Sequence, residues 1–342
     1  MMVYHEENQL SPPSYPLIDR YGRTHTSLRI SVTDRCNIRC TYCMPELDPV
    51  FFSRSELLTF EEITRISTLL VDHCGVEDIR ITGGEPLVRK DLHVLIERLS
   101  AIRKLKDLSL TTNGLLLKNH AKNLMKAGLK RINISLDTLS EEVFKSLTRR
   151  TGLKNTLEGI ESAIETGFKN IKLNALAIRG ITEKEICGLV EYASSNGLVI
   201  RFIEYMPLDS DRNWKRGDVL NGDDLLKILA HHFGDIREIP RPDASQPAED
   251  FLVGDHKVGI IRSVTKPFCG QCNRMRITAD GAIRNCLFSN KEVSFKTHMR
   301  EGATDDELLE LFAACISAKE RSHGISNEAF RPPDRPMYAI GG

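Results

Sequence analysis

Three cysteines, Cys36, Cys40 and Cys43, fall within one short polar stretch, DRCNIRCTYCMP, and a second trio, Cys269, Cys272 and Cys286, falls in CGQCNRMR and the CLF that follows it. A structural zinc site closes on four ligands and a redox disulfide needs two. A trio therefore implies either a partner elsewhere or a metal deliberately left one ligand short. Cys74, Cys187 and Cys315 lie alone in helix-like sequence and read as ordinary buried cysteines. In a reducing cytoplasm, clustered cysteines hold metal more readily than they form disulfides.

Other polar signals recur where apolar runs end: TGGEP (Thr82 to Pro86), Thr111 to Gly114, Ser135 with Asp137, and Met206. Taken singly, these are turn glycines, helix caps and a core filler. Together they outline one pocket. Arg29 and Arg80 share side-chain parity with Ser31, Thr33 and Thr82, and Lys172 shares it with Asn174, so all three cations point inward if those residues do. Arg274 and Arg276 extend the same lining. Inward cations in a parallel core require a polyanion, a solvated mouth, or pairing with Glu204 and Asp137.

The elements that must position these groups follow a regular cadence. SLRISVTD, DIRITGG, DLSLTTNG, RINISLDT, NIKLNALAIRG and VIRFIEYMP read as six strands. Between them TFEEITRISTLLVDHCG, DLHVLIERLSAI, NHAKNLMKAG, LKNTLEGIESAIETG and TEKEICGLVEYASSNG read as helices, several opening on Thr, Asp or Asn and closing on Gly. Strand and helix alternating in this way predicts an α/β fold: an open, partial, about six-stranded parallel βα barrel, with a doubly wound sheet as the alternative. After Pro207 the pattern changes to a helix (GDDLLKILAHHFG), a Pro-rich connection and a hairpin in DFLVGDHKVGIIRSV, a smaller C-terminal module carrying the second trio. The domains expected are an N-terminal extension over 1–26, the partial barrel over 27–215 and the C-terminal domain over 216–342. In such layers ligands gather at the carboxyl ends of the strands.

The chain has 342 residues, with 47 basic and 47 acidic side chains, so no global charge argues for nucleic acid or a membrane surface. No basic start precedes an apolar core and no apolar run of about eighteen residues occurs, which predicts a soluble cytoplasmic protein.

A four-iron cluster held by three thiolates leaves one iron open, as a catalytic zinc keeps a free position. CNIRCTYC is similar to the CxxxCxΦC motif of the radical S-adenosylmethionine enzymes, with Tyr42 as the aromatic residue, and GGEP at Gly83 to Pro86 agrees with it. With CGQCNRMR, CLF and the closing IGG, the chain from residue 15 onward resembles the GTP 3′,8-cyclase family of molybdenum cofactor biosynthesis. The resemblance implies two 4Fe–4S clusters, the first on Cys36, Cys40 and Cys43 and the second on Cys269, Cys272 and Cys286. It implies S-adenosylmethionine bound by Tyr42, Gly84, Ser135 and Met206, and GTP bound by Arg29, Arg80, Thr111, Lys172, Arg274 and Arg276. It implies a 5′-deoxyadenosyl radical that takes the ribose 3′ hydrogen of GTP, closure of C3′ onto C8, and (8S)-3′,8-cyclo-7,8-dihydroguanosine 5′-triphosphate as product. Gly341 and Gly342, with Arg274 and Arg276, then support catalysis from within the channel. The implied partners are a flavodoxin-like protein reductant and the enzyme that takes the product to cyclic pyranopterin monophosphate, and a homodimer is one assembly the resemblance admits. Arg29 and Lys172 fall early in their strands, away from the usual working end of a barrel, which makes sense if the second cluster plugs the opposite end. A radical enzyme acting on a peptide and a zinc protein binding nucleic acid are the rival readings.

Overall fold

The computed structural model describes residues 15–47, 49–241, 243–327 and 330–342; residues 1–14 of the expected N-terminal extension lie outside them. The first half runs β1 (Ser27–Ser31), α1 (Phe60–Cys74), β2 (Asp78–Thr82), α2 (Leu92–Ser100), β3 (Asp107–Thr112), α3 (Leu117–Lys126) and β4 (Arg131–Ser135). It continues through α4 (Glu141–Thr148), α5 (Leu153–Thr166), β5 (Lys172–Ala177), α6 (Ile186–Ser195) and β6 (Val199–Glu204). The second half holds α7 (Gly222–Phe233), β7 (Ile236–Ile239), β8 (Glu249–Val253), β9 (His256–Ile261), β10 (Arg274–Ile277), β11 (Ala282–Arg284), β12 (Val293–Ser294), α8 (Phe295–Arg300), α9 (Asp305–Ser317) and α10 (Met337–Ile340).

Local chemistry sets these boundaries. Thr59 and Glu62 bond each other's backbone N–H in a capping box that starts α1, and Gly75 ends it in the left-handed region at φ 76°. Thr304 and Glu307 start α9 in the same way. The hairpin expected around residue 254 is β8–β9, with Val253 paired to His256 across Gly254 and Asp255.

The six expected strands β1 to β6 pair in parallel, in sequence order. The C-terminal segment, however, does not form a sheet of its own. Its β9 pairs parallel with β6 and its β10 parallel with β1. The result is one open twelve-stranded sheet in the order β12-β11-β10-β1-β2-β3-β4-β5-β6-β9-β8-β7. Each edge of a six-stranded sheet would leave a row of unpaired backbone groups, and strands from the C-terminal segment satisfy both.

The two faces of the sheet differ sharply. Leu28, Ile30, Ile79, Ile81, Leu108, Leu110, Ile132, Ile134, Ile200 and Phe202 are buried in the main core, each contributing about 1.5–3 kcal/mol by leaving water. Arg29, Arg80 and Arg201 have the opposite parity, as do Arg274 and Arg276 relative to buried Met275 and Ile277. The register sets Arg276, Arg29 and Arg80 side by side on three adjacent strands. Glu204 is not inward, as it shares parity with Phe202 rather than with Arg201. Its carboxylate accepts from the backbone N–H of Gly222 (3.0 Å), Val264 (2.8 Å) and Thr265 (2.7 Å).

Within the expected extension, residues 15–26 pack against the C-terminal segment. Asp19 accepts from Tyr21 N (2.9 Å) and Arg23 Nε (2.6 Å) and lies 3.0 Å from His25 Nε2. Burial would push the Asp19 carboxyl up, but these partners outweigh it and bring it down to about 2, and burial lowers His25 to about 4. At neutral pH, His25 is therefore neutral beside a charged Asp19. A His whose folded pKa is depressed stabilises fully above its unfolded value, about 6.5, and loses that contribution as pH falls toward 4. Denaturant unfolding at pH 7.5, 6 and 5 should show wild-type stability declining more steeply than that of His25→Asn, and parallel pH profiles would contradict this assignment.

Candidate active site

The loop after β1 carries the first trio and is held from several sides. Arg39 Nη1 donates to the carbonyls of Cys36 (2.7 Å) and Ile38 (2.9 Å), and Arg39 N and Thr41 N donate to Thr148 O and Leu147 O, both at 2.9 Å, at the end of α4. Arg149 Nη1, just past α4, reaches Met44 O at 3.1 Å, and Ser210 Oγ donates to Cys43 O at 3.0 Å. Asn113, after β3, donates to Asn37 Oδ1 at 2.7 Å and lies 3.8 Å from Cys36 Sγ.

The turn after β2 is equally fixed. Glu85 is buried and accepts from Leu87 N (3.0 Å), Thr112 Oγ1 (2.7 Å) and Asn113 N (2.7 Å), tying the β2 turn to the end of β3. Burial still raises its carboxyl to about 7. A Cβ on Gly84 would come within 2.5 Å of Arg35 O and 2.7 Å of Asp34 O, so only glycine lets the turn lie against the cysteine loop. Tyr42 donates its hydroxyl to Asp137 Oδ2 at 2.6 Å, while Leu176 N donates to Asp137 Oδ1 at 2.8 Å. Asp137 thus orients Tyr42 from the end of β4.

These residues open onto a cavity of about 270 Å³ whose wall includes Cys36, Cys40, Tyr42, Cys43, Gly84, Thr111, Ser135, Met206, Arg29, Arg80, Arg201 and Arg276. A second cavity, of about 150 Å³, is lined by Cys269, Cys272, Cys286, Arg274, Phe268 and His323. Arg29, Ile203, Met206, Pro247, Ile261, Arg276 and Leu287 belong to both walls, so the two form one channel with a thiol trio at each end.

The channel is electropositive. Burial, then the charges of Arg276, Arg80 and Arg274, hold Arg29 well below the usual guanidinium range. Arg80 comes down to about 10 and Arg276 to about 9, with burial the main cause in each. No carboxylate of the described residues forms an ion pair with Arg29, Arg80, Arg201, Arg274 or Arg276. Asp137, the other carboxylate considered as their partner, is taken by Tyr42. Arg201 Nε is buried without a hydrogen-bond partner. Arg201 was not among the expected site residues, although in VIRFIEYMP it alternates with Phe202 as Arg29 does with Leu28 and Ile30. Lys172 has the parity of Asn174 on β5, and Asn174 lines the first cavity; burial and the charges of Arg201 and Arg131 lower Lys172 to about 8.

The tail enters the channel. Arg276 Nη1 donates to Gly341 O at 2.6 Å, and Thr82 Oγ1 donates to Gly342 O. Met337 N bonds Leu208 O at 3.1 Å, and Tyr338 packs edge-on against Phe51 with ring centroids 6.1 Å apart. Upstream, Arg335 forms two bonds, 2.8 and 2.9 Å, to Asp280.

The donor chemistry fits iron–sulfur clusters, which take cysteine thiolates. The trios differ electrostatically. Burial pushes Cys36 up to about 11 and raises Cys40 and Cys43 also, so metal binding there must expel protons. Burial would likewise raise Cys272, but Arg274 and Lys319 bring it down to about 6.

An open parallel βα sheet with a CxxxCxΦC loop after its first strand and a GGEP turn after its second defines a radical S-adenosylmethionine protein, and the Radical SAM superfamily model matches residues 30–193. The Molybdenum Cofactor Synthesis C model matches residues 198–325. The chain is 56% identical over 330 residues to the GTP 3′,8-cyclase of Rhodopirellula baltica, covering 95% of this chain and 92% of that one. It is 44% identical over 331 residues to the GTP 3′,8-cyclase of Streptomyces coelicolor, covering 96% and 97%. The fold is similar to Streptococcus suis SuiB bound to S-adenosylmethionine, with a TM-score of 0.61 at 16% identity over 89% of this chain and 68% of that one. The chain belongs to the GTP 3′,8-cyclase family. Among the described residues no helix is long and apolar enough to cross a membrane.

Gly341 tests how the tail is seated. It has φ 92°, and a Cβ there would meet Ser31 Cβ at 2.6 Å. Gly341→Val should expel residues 337–342, making their amides exchange at least tenfold faster by mass spectrometry, with little change in global melting temperature. Unchanged exchange would contradict this seating.

Proposed function

We propose that this chain is a radical S-adenosylmethionine enzyme that converts GTP to (8S)-3′,8-cyclo-7,8-dihydroguanosine 5′-triphosphate in molybdenum cofactor biosynthesis. The observation that carries the reading is the row Arg276, Arg29 and Arg80, which among the described residues has no carboxylate in ion-pair contact, Asp78 acting on it only at longer range, and which lies between two thiol trios. A triphosphate supplies the charge that such a row requires, and guanidinium groups bind phosphate with charge-assisted, often bidentate bonds.

In this reading Cys36, Cys40 and Cys43 hold a 4Fe–4S cluster, and Cys269, Cys272 and Cys286 hold a second. S-adenosylmethionine, bound on the first cluster, supplies the hydrogen-abstracting radical. Tyr42, oriented by Asp137, positions S-adenosylmethionine together with Gly84, Ser135 and Met206. Arg29, Arg80, Thr111, Lys172, Arg274 and Arg276 hold GTP across the channel, with Arg201 as an added phosphate contact. Gly341 and Gly342 narrow the channel beside the substrate and help exclude water from the reacting ribose. The catalytic units are the barrel over 27–215 and the C-terminal domain over 216–342. The enzyme works in the cytoplasm with a flavodoxin-like reductant, and passes its product to the enzyme that forms cyclic pyranopterin monophosphate.

The test compares three variants of anaerobically reconstituted protein. Cys43→Ala should lose S-adenosylmethionine cleavage altogether, because two thiolates cannot keep the open-iron geometry. Cys286→Ala should keep the first cluster while losing GTP turnover. Deleting Gly341 and Gly342 should leave iron content and melting temperature unchanged and cut cyclisation at least tenfold. Equal loss of S-adenosylmethionine binding in both cysteine variants, or full cyclase activity after the deletion, would contradict these assignments.

A further inference from the structure

Lys319, two residues beyond α9, has a side chain the proposed reaction does not use. It is 3% exposed. Its ammonium donates to Arg274 O at 2.7 Å and to Cys272 Sγ at 3.4 Å, and no carboxylate of the described residues pairs with it. A buried ammonium is costly unless an opposite charge faces it. The sulfurs of the second trio are the anionic groups it faces.

The surroundings hold this contact in place. Arg23 Nη1 donates to Cys269 O at 2.6 Å and to Arg321 O at 2.9 Å, and Arg23 Nη2 donates to Glu320 O at 2.7 Å. One guanidinium thus fixes both a cysteine of the trio and the two residues that follow Lys319. Arg23 is itself clamped by buried Asp19. In the first trio the groups hydrogen-bonded to sulfur are neutral, the Asn113 amide 3.8 Å from Cys36 Sγ and the Tyr42 hydroxyl beside Cys40, and among the described residues Arg39 acts on Cys36 through its charge without a hydrogen bond to the sulfur.

We propose that Lys319 is a positioning residue that raises the reduction potential of the second cluster by donating an N–H to the sulfur of Cys272, with the Asp19–Arg23 pair as its scaffold. The proposal rests on the reading of Cys269, Cys272 and Cys286 as cluster ligands. Reduction adds negative charge to a cluster, and a cation bonded to a ligand sulfur stabilises that charge. Hydrogen bonds to the sulfurs and net charge are established determinants of cluster potentials.

The experiment is a potentiometric titration, followed by electron paramagnetic resonance, of full-length reconstituted protein as wild type, Lys319→Met and Lys319→Gln. The first cluster's signal is identified in Cys286→Ala. At the wild-type midpoint of the second cluster, Lys319→Met should lower the reduced-to-oxidised ratio about tenfold, a shift of about 59 mV to more negative potential for a one-electron couple. Lys319→Gln, which keeps a donor without the charge, should fall between, and the first cluster should not move. An unchanged second-cluster midpoint with iron retained would overturn the proposal. Loss of second-cluster iron from both variants would overturn it too, leaving Lys319 a purely structural role. Wild-type protein with one cluster's worth of iron, none of it lost in Cys286→Ala, would overturn the two-cluster reading and this proposal with it.

Discussion

Three arginines aligned on adjacent strands of a parallel sheet constrain everything around them. Neighbouring strands are about 4.8 Å apart, and two unit charges at roughly 5 Å repel by about 3 kcal/mol at an effective dielectric constant of 20. Against a typical net stability of about 5–15 kcal/mol, a row of such repulsions is significant. Among the described residues no carboxylate pairs directly with Arg276, Arg29 or Arg80, and Asp78 offsets the repulsion only at longer range. On the other face of the same strands, a continuous aliphatic core holds the sheet together. The sheet is thus stabilised on its helix side and strained electrostatically on its channel side, an arrangement that favours a polyanionic ligand.

The remaining parts follow from that row. Arg276 comes from the C-terminal segment, so the row exists only because β10 adds to the edge of β1. The same addition carries the second trio to one end of the channel, while the loop after β1 sets the first trio at the other. A substrate with a charged triphosphate and a neutral base can then span between two chemically different ends. Carbonyls of Gly341 and Gly342 reach Arg276 and Thr82 from the tail, so the chain itself supplies part of the polar complement. Charge explains the contrast between the trios as well. Cys272 sits beside Arg274 and Lys319, whereas Cys36, Cys40 and Cys43 lie where burial dominates.

Much of this was legible in the sequence because strand parity is a short-range rule. SLRIS and DIRIT each alternate aliphatic and polar residues, which is enough to place Arg29 and Arg80 on the face away from the helices. Arg201 obeys the same rule, alternating with Phe202 in VIRFIEYMP, and the same parity turns Glu204 away from the channel toward the N–H of Gly222. The twelve-stranded sheet could not be read, because pairing of β10 with β1 joins residues some 250 positions apart and depends on which edge is left open rather than on any local signal. The short helix α4 was also missed, yet it staples the cysteine loop through Leu147, Thr148 and Arg149. Its Ser140 cap and the spacing of Phe144 and Leu147 are local helix signals, but its hold on the cysteine loop emerges only from tertiary contacts.

Whether the inward arginine row meets a polyphosphate can be read from ligand-linked stability. The most direct test is the thermal unfolding of reconstituted protein with saturating GTP, inorganic tripolyphosphate or guanosine, at low and high salt. A ligand that binds only the folded state stabilises it in proportion to its affinity. GTP and tripolyphosphate should both raise the midpoint, added salt should weaken both effects, and guanosine should raise it much less. Guanosine matching GTP, with tripolyphosphate inert, would contradict the polyphosphate reading.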